Sequence, residues 1–187
     1  MNFTQRFLVI SLMMVLVTCS MWEDEPDTPL TFESGQQFGL CVSRCKFVAT
    51  ITQTNSSLNG YESVSSSEPY FTDTSPTEQS AWDTLVDRLD WSVLDTMQAV
   101  YGCPDCADGG AEWIKVTQNG RNKRITFEYG DTLAAIAPLQ LALRNLRESM
   151  LGTAELEKEE RGKRKEQEPE YEHEYEKDSR DIIPDAG

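Results

Sequence analysis

Histidine is almost missing from this chain. The single one, His173, lies in a charged C-terminal stretch. That position excludes a Ser-His-Asp or Cys-His unit inside the folded region, and a zinc hydrolase built on histidine ligands. Positive charge is scarce as well. Seventeen Lys and Arg stand against 32 Asp and Glu, for a net charge of −15. With no basic stripe to neutralise phosphates, a nucleic-acid partner is excluded. No Gly-rich phosphate loop is present. The most apolar stretch, Phe7–Val17, falls short of the roughly 20 residues needed to span a bilayer. Carboxylates are plentiful, but Asp83, Asp87, Asp90 and Asp95 read as the solvated side of a helix and its end, not as an acid–base pair.

What is present begins with an address. Arg6 followed by the short apolar run reads as a secretory signal over residues 1–18. No amphipathic pattern or cap accompanies the run, which argues against a buried core helix. Leu16-Val17-Thr18-Cys19 resembles the lipobox of bacterial lipoproteins, with Thr18 in place of the usual Gly, Ala or Ser. The resemblance implies that Cys19 carries the lipid and becomes the first residue of the mature chain. Each buried methylene contributes about 0.8 kcal/mol, so stable anchoring takes more than one chain. Ser20 stands where an inner-membrane retention aspartate would be. Glu23-Asp24-Glu25 is similar to surface-export signals of Bacteroidota lipoproteins, and a solvated linker has the same composition. The expected location is the outer membrane, lipid-anchored, with the face left open.

Residues 19–36 carry Pro26, Pro29 and Gly35 among acidic and small polar residues. They read as a tether. A small α+β domain is expected over residues 37–151. Phe47–Thr52 is β-branched and reads as a strand, Asn59-Gly60 as a hairpin turn, and Tyr61–Tyr70 as the returning strand. Ser75-Pro76-Thr77-Glu78 has the form of a capping box. The helix after it places Trp82, Leu85, Val86 and Leu89 on one side, and Trp91, Val93, Leu94 and Met97 suggest a short continuation. Glu112–Thr117 and Arg124–Tyr129 form a second hairpin about Asn119-Gly120, with Ile114 opposite Ile125. Pro138 opens a last helix carrying Leu139, Leu143, Leu146 and Met150. The expected architecture is an antiparallel sheet of two β-hairpins with two helices on one face, in the order ββαββα. Residues 152–187 are almost wholly charged and read as a tail, in part a continuation of the last helix through i,i+4 pairs and otherwise disordered.

Four further cysteines remain: Cys41, Cys45, Cys103 and Cys106. An even number in an exported chain favours disulfides. A straight strand would hold Cys41 and Cys45 about 13 Å apart, whereas a disulfide needs Cα atoms within about 7 Å. A local Cys41–Cys45 bond therefore requires a turn. The alternative is a pair of bridges across the fold. Two other chemistries fit the same residues. All four thiolates would make a tetrahedral zinc shell, although export works against persistent thiolates. Cys103-Pro104-Asp105-Cys106 also has the spacing of a thiol-redox pair, without a βαβ context. Asp105, Asp108 and Gly109 read as turn residues, because the spacing of a calcium loop is absent.

Phe38-Gly39-Leu40-Cys41-Val42-Ser43-Arg44-Cys45 and Cys103-Pro104-Asp105-Cys106-Ala107-Asp108-Gly109-Gly110-Ala111-Glu112-Trp113-Ile114 resemble segments of a family of uncharacterised exported bacterial lipoproteins. Phe127-Glu128-Tyr129-Gly130 and the Pro138 helix resemble its closing part. The resemblance covers roughly residues 36–150. It implies a shared small α+β domain and no reaction. With no catalytic constellation, the expectation is a non-enzymatic, membrane-anchored binding or accessory domain, needing no cofactor, whose partner is an envelope protein or polymer. The rival is a metal-binding (zinc) or thiol-redox protein using the four cysteines.

Overall fold

The computed structural model describes residues 28–167. Cys19 and His173 lie outside them. Over the described residues the fold is α+β, with one six-stranded antiparallel sheet and three α-helices. The strands are β1 (Thr31–Gln37), β2 (Lys46–Ile51), β3 (Asn55–Tyr61), β4 (Phe71–Pro76), β5 (Ala111–Gln118) and β6 (Arg121–Glu128), in sheet order β4-β3-β2-β1-β5-β6. The helices are α1 (Gln79–Asp87), α2 (Trp91–Thr96) and α3 (Ala137–Gln167).

Strand alternation sends one face of the sheet inward. Phe32, Phe47, Ala49, Ile51, Leu58, Ile114, Val116, Ile125 and Phe127 join Trp82 and Leu85 of α1, Leu94 of α2, and Leu139 and Leu143 of α3 in one core. Phe32 meets Trp82 edge-on, with ring centroids 5.6 Å apart. Burial of this cluster is the main stabilising term, at roughly 1.5–3 kcal/mol for each large side chain. Val86, expected among the core contacts of α1, stays exposed.

The second hairpin matches the expected register. Ile114 pairs with Ile125, and Asn119 and Gly120 both take positive φ, 52° and 72°. The first half differs from the ββαββα expectation in three places. Asn59-Gly60 lies inside β3, and the chain instead turns at Thr52–Asn55, where Thr52 N–H donates to the Asn55 carbonyl at 2.9 Å. Gly60 is required by packing, because the Phe71 ring occupies the space a Cβ would need. Ser75 and Pro76 end β4 and form no capping box. Pro76 is tolerated there because β4 is an edge strand. Glu78 takes the N-cap position of α1 without a side-chain cap bond. The third difference is the tether. From Thr31 onward it is β1, a central strand paired with both β2 and β5. At the other end, α3 runs through the expected boundary at residue 152 as far as Gln167.

A separate cap sets off α2. Asp90 accepts from the Ser92 hydroxyl at 2.6 Å, and from Ser92 N–H and Val93 N–H. The Ser92 hydroxyl first, then these backbone donors, hold the Asp90 carboxyl below its ordinary value of 3.8. A lowered folded pKa means that the cap contributes fully above the unfolded value and fades as pH falls through the folded one. Ser92→Ala is expected to move the Asp90 titration midpoint upward, read by carboxyl-carbon NMR. An unmoved midpoint would remove the hydroxyl as the leading cause.

Candidate functional site: the disulfide-looped end

Both cysteine motifs sit at the same end of the sheet. Cys41–Cys45 follows β1, and Cys103–Cys106 precedes β5, whose first residue Ala111 pairs with Gln37, the last of β1. Each motif closes on itself, with Cα separations of 5.6 Å and 5.4 Å. The bridges are therefore local, and none of them joins the two motifs.

The turn that a local Cys41–Cys45 bond requires is made by Arg44, which holds φ at 61°. Its guanidinium donates to the Tyr70 hydroxyl at 2.9 Å and to Glu155 of α3 at 2.5 Å. Those bonds, to Glu155 first and then Tyr70, raise its pKa above the ordinary guanidinium value. The Arg44–Glu155 pair is substantially exposed, so it orients the loop more than it stabilises the fold. Below the turn, Cys45 is 3 % exposed. Its N–H donates to the Tyr61 carbonyl, and its carbonyl accepts from Phe38 N–H, both at 2.9 Å. The anchored base carries an apolar tip: Leu40 is 76 % exposed and Val42 is fully exposed.

The second loop is built from left-handed backbone. Gly102, Asp105, Ala107, Asp108 and Gly110 all have positive φ. Asp tolerates this region better than most residues, which accounts for the turn roles of Asp105 and Asp108. Asp105 N–H bonds the Gly110 carbonyl at 2.9 Å, and Cys103 N–H bonds the Glu128 carboxylate at 2.7 Å. Two contacts join the loops. The Asp105 carboxylate accepts from Gly39 N–H at 3.0 Å. The Phe38 ring lies where a Cβ on Gly110 would stand and packs on Tyr129, with centroids 4.8 Å apart.

The metal-ligand alternative called for four thiolates in one shell. The cysteines are instead paired within each motif. Among the described residues, no group of three or more His, Cys, Asp or Glu is placed to hold a metal ion. Of the candidate carboxylates, Asp83 and Asp87 line an open surface depression with Trp82, Thr84 and Val86, Asp90 caps α2, and Asp95 pairs with Arg121.

One polar cluster is not evident from composition. Glu112 and Arg147 are each 1 % exposed and pair with one another between the sheet and α3. Arg144 also pairs with Glu112, at 2.5 Å. Arg147 donates further to the Ser34 hydroxyl at 3.0 Å and the Gly35 carbonyl at 3.1 Å. The signal was in the spacing. Glu112 precedes Ile114 and Val116 on the inward alternation of β5, and Arg147 follows Leu139 and Leu143 at four-residue intervals. Sealed between sheet and helix, these charges have a structural role.

No family model and no curated protein matches this chain. Among the described residues, no helix is long and apolar enough to cross a membrane.

Proposed function

We propose that this is a lipid-anchored envelope protein whose α+β domain binds a partner protein through its disulfide-looped end, without catalysing a reaction. The observation that carries this reading is the pair Leu40 and Val42, two aliphatic side chains held in water on a covalently closed loop. Exposing them costs solvation free energy, and closing the loop removes chain entropy before any encounter, which favours binding.

The topology supports a partner over the membrane as the occupant. Thr28 lies beside the Asn119-Gly120 turn, its carbonyl accepting from Asn119 N–H at 2.8 Å. The apolar tip follows the other end of β1. The two ends are separated by the length of that strand, about 20 Å at the usual rise. With Cys19 lipidated, as the lipobox resemblance implies, the stretch from Cys19 to Thr28 reaches at most about 30 Å. The tether therefore enters the domain at the end opposite the loops, which leaves the looped end free to meet a partner away from the bilayer. Exposed Asp108 beside the loops favours a partner with an apolar cleft and a basic rim, since charge complementarity guides encounter.

Two measurements test the proposal. Palmitate labelling is expected on the wild type and lost in Cys19→Ala. A photo-crosslinker at position 42 is expected to capture an envelope protein saturably, and Leu40→Ser with Val42→Ser to weaken that capture about tenfold or more, the effect of about 1.4 kcal/mol. The melting temperature should stay unchanged. Undiminished capture in the double variant, or crosslinks confined to lipid or polymer, would overturn the docking assignment.

A further inference from the structure

We infer that Cys103–Cys106 is a thiol–disulfide exchange site, opened by a dithiol while Cys41–Cys45 stays closed. Exchange requires a thiolate to reach a sulfur of the bond, so access decides which bond reacts. Cys103 and Cys106 are both exposed, and the Cys106–Asp108 turn contributes no buried residue. In the other pair Cys41 is half-buried, and Cys45 is buried at 3 % and hydrogen-bonded on both sides of its backbone, so neither cysteine is as open as Cys103 or Cys106. The backbone adds a second difference. Asp105, Ala107 and Asp108 stand in the left-handed region, and an alanine there has no side-chain hydrogen bond to offset the strain. Opening the bond lets these residues relax, which favours the reduced loop. Opening Cys41–Cys45 would leave Arg44 still held by Tyr70 and Glu155.

The reaction balances with a dithiol as reductant. One of its thiolates bonds to a sulfur of the Cys103–Cys106 pair. The disulfide breaks, and its electron pair leaves on the other cysteine. The second thiol of the reductant then closes the reductant's own disulfide and expels the first cysteine. The dithiol is oxidised, the pair is reduced, and the two protons pass to Cys103 and Cys106.

The structural consequence reaches the apolar tip. Asp105 lies inside the bridged loop, and its carboxylate holds Gly39 N–H, next to Leu40. Relaxation of the opened loop withdraws that acceptor. The state of Cys103–Cys106 is thereby transmitted to the loop bearing Leu40 and Val42. The exchange assignment is independent of the docking proposal, whereas a regulatory meaning for it rests on that proposal.

The test needs no partner. The folded chain is treated with graded dithiothreitol, quenched by alkylation and mapped by peptide mass. Cys103 and Cys106 are expected to label together at dithiol concentrations about tenfold or more below those that label Cys41 and Cys45, as access and exchange chemistry require. Simultaneous labelling, or labelling of Cys41 and Cys45 first, overturns the assignment. Hydrogen exchange at the Gly39 amide is then followed in the folded Cys103→Ser/Cys106→Ser variant and in the partly reduced wild type. It is expected to quicken about tenfold in both, as local opening does. An unchanged Gly39 rate in both removes the link to the apolar tip.

Discussion

Glu112→Ala is expected to destabilise the domain by about 3–5 kcal/mol, the cost of removing one partner of a buried ion pair. The size follows from what is left behind. Glu112 and Arg147 are each 1 % exposed, and Arg144 leans on the same carboxylate. Without Glu112 two guanidinium groups face one another beneath the sheet, and the carbonyls of Gly35 and Asp131 supply only dipoles. Arg147 already has one nitrogen, Nε, with no partner, so little capacity remains for rearrangement. Arg147→Met should be milder, because Glu112 keeps Arg144 and a flexible apolar side chain replaces a buried charge. Urea unfolding with an unchanged m-value measures both. A loss under about 1 kcal/mol for Glu112→Ala would mean that the cluster is solvated in solution and belongs with surface pairs.

The contrast between the two hairpins shows which features of this fold were legible in the sequence. β5 and β6 carry alternating apolar residues on each side of Asn119-Gly120, so turn and pattern agree, and the Ile114–Ile125 register follows. In the first half they disagree. Asn59-Gly60 has the composition of a turn, but Leu58 must pair with Ala49 and point inward. Tertiary burial overrode the local turn preference. Ser75-Pro76-Thr77-Glu78 departs from its local helix-start signal for a related reason. Pro76 fits the start of a helix and the end of an edge strand equally well, and only the pairing of Asn55 with Pro76 decides between them.

At the looped end, the cysteines marked the site but not its connectivity. The straight-strand distance for Cys41–Cys45 assumed extended backbone. The left-handed turn at Arg44 depends on Tyr70 and Glu155, which are remote in sequence. Such contacts have no local signature. The Gly39–Asp105 bond between the loops is equally non-local. Glu112 is different. Its inward position follows from period-two alternation, and only its chemistry, a charge among aliphatic neighbours, concealed it.

Gly35→Ala is expected to cost about 1–3 kcal/mol, as overpacking does, although a strand interior normally favours alanine over glycine by roughly 0.5–1 kcal/mol. Read from composition, Gly35 is a chain breaker in a tether. In the fold it is the cross-strand partner of Trp113, and a Cβ there would stand 2.0 Å from the indole carbon Cζ2. The ring cannot retreat cheaply. Its Nε1–H donates to Glu33 at 2.6 Å, and the Arg124 guanidinium lies 4.3 Å from the ring centre. Trp113 is only 3 % exposed on the face of the sheet away from the helices, so the glycine is the space that lets a large aromatic lie flat against β1. A double-mutant cycle separates this account from a simple backbone preference. In a Trp113→Leu background the obstacle is gone, and Gly35→Ala should turn from destabilising to neutral or mildly stabilising. An equal penalty in both backgrounds would show that the strand itself, and not the indole, demands the glycine.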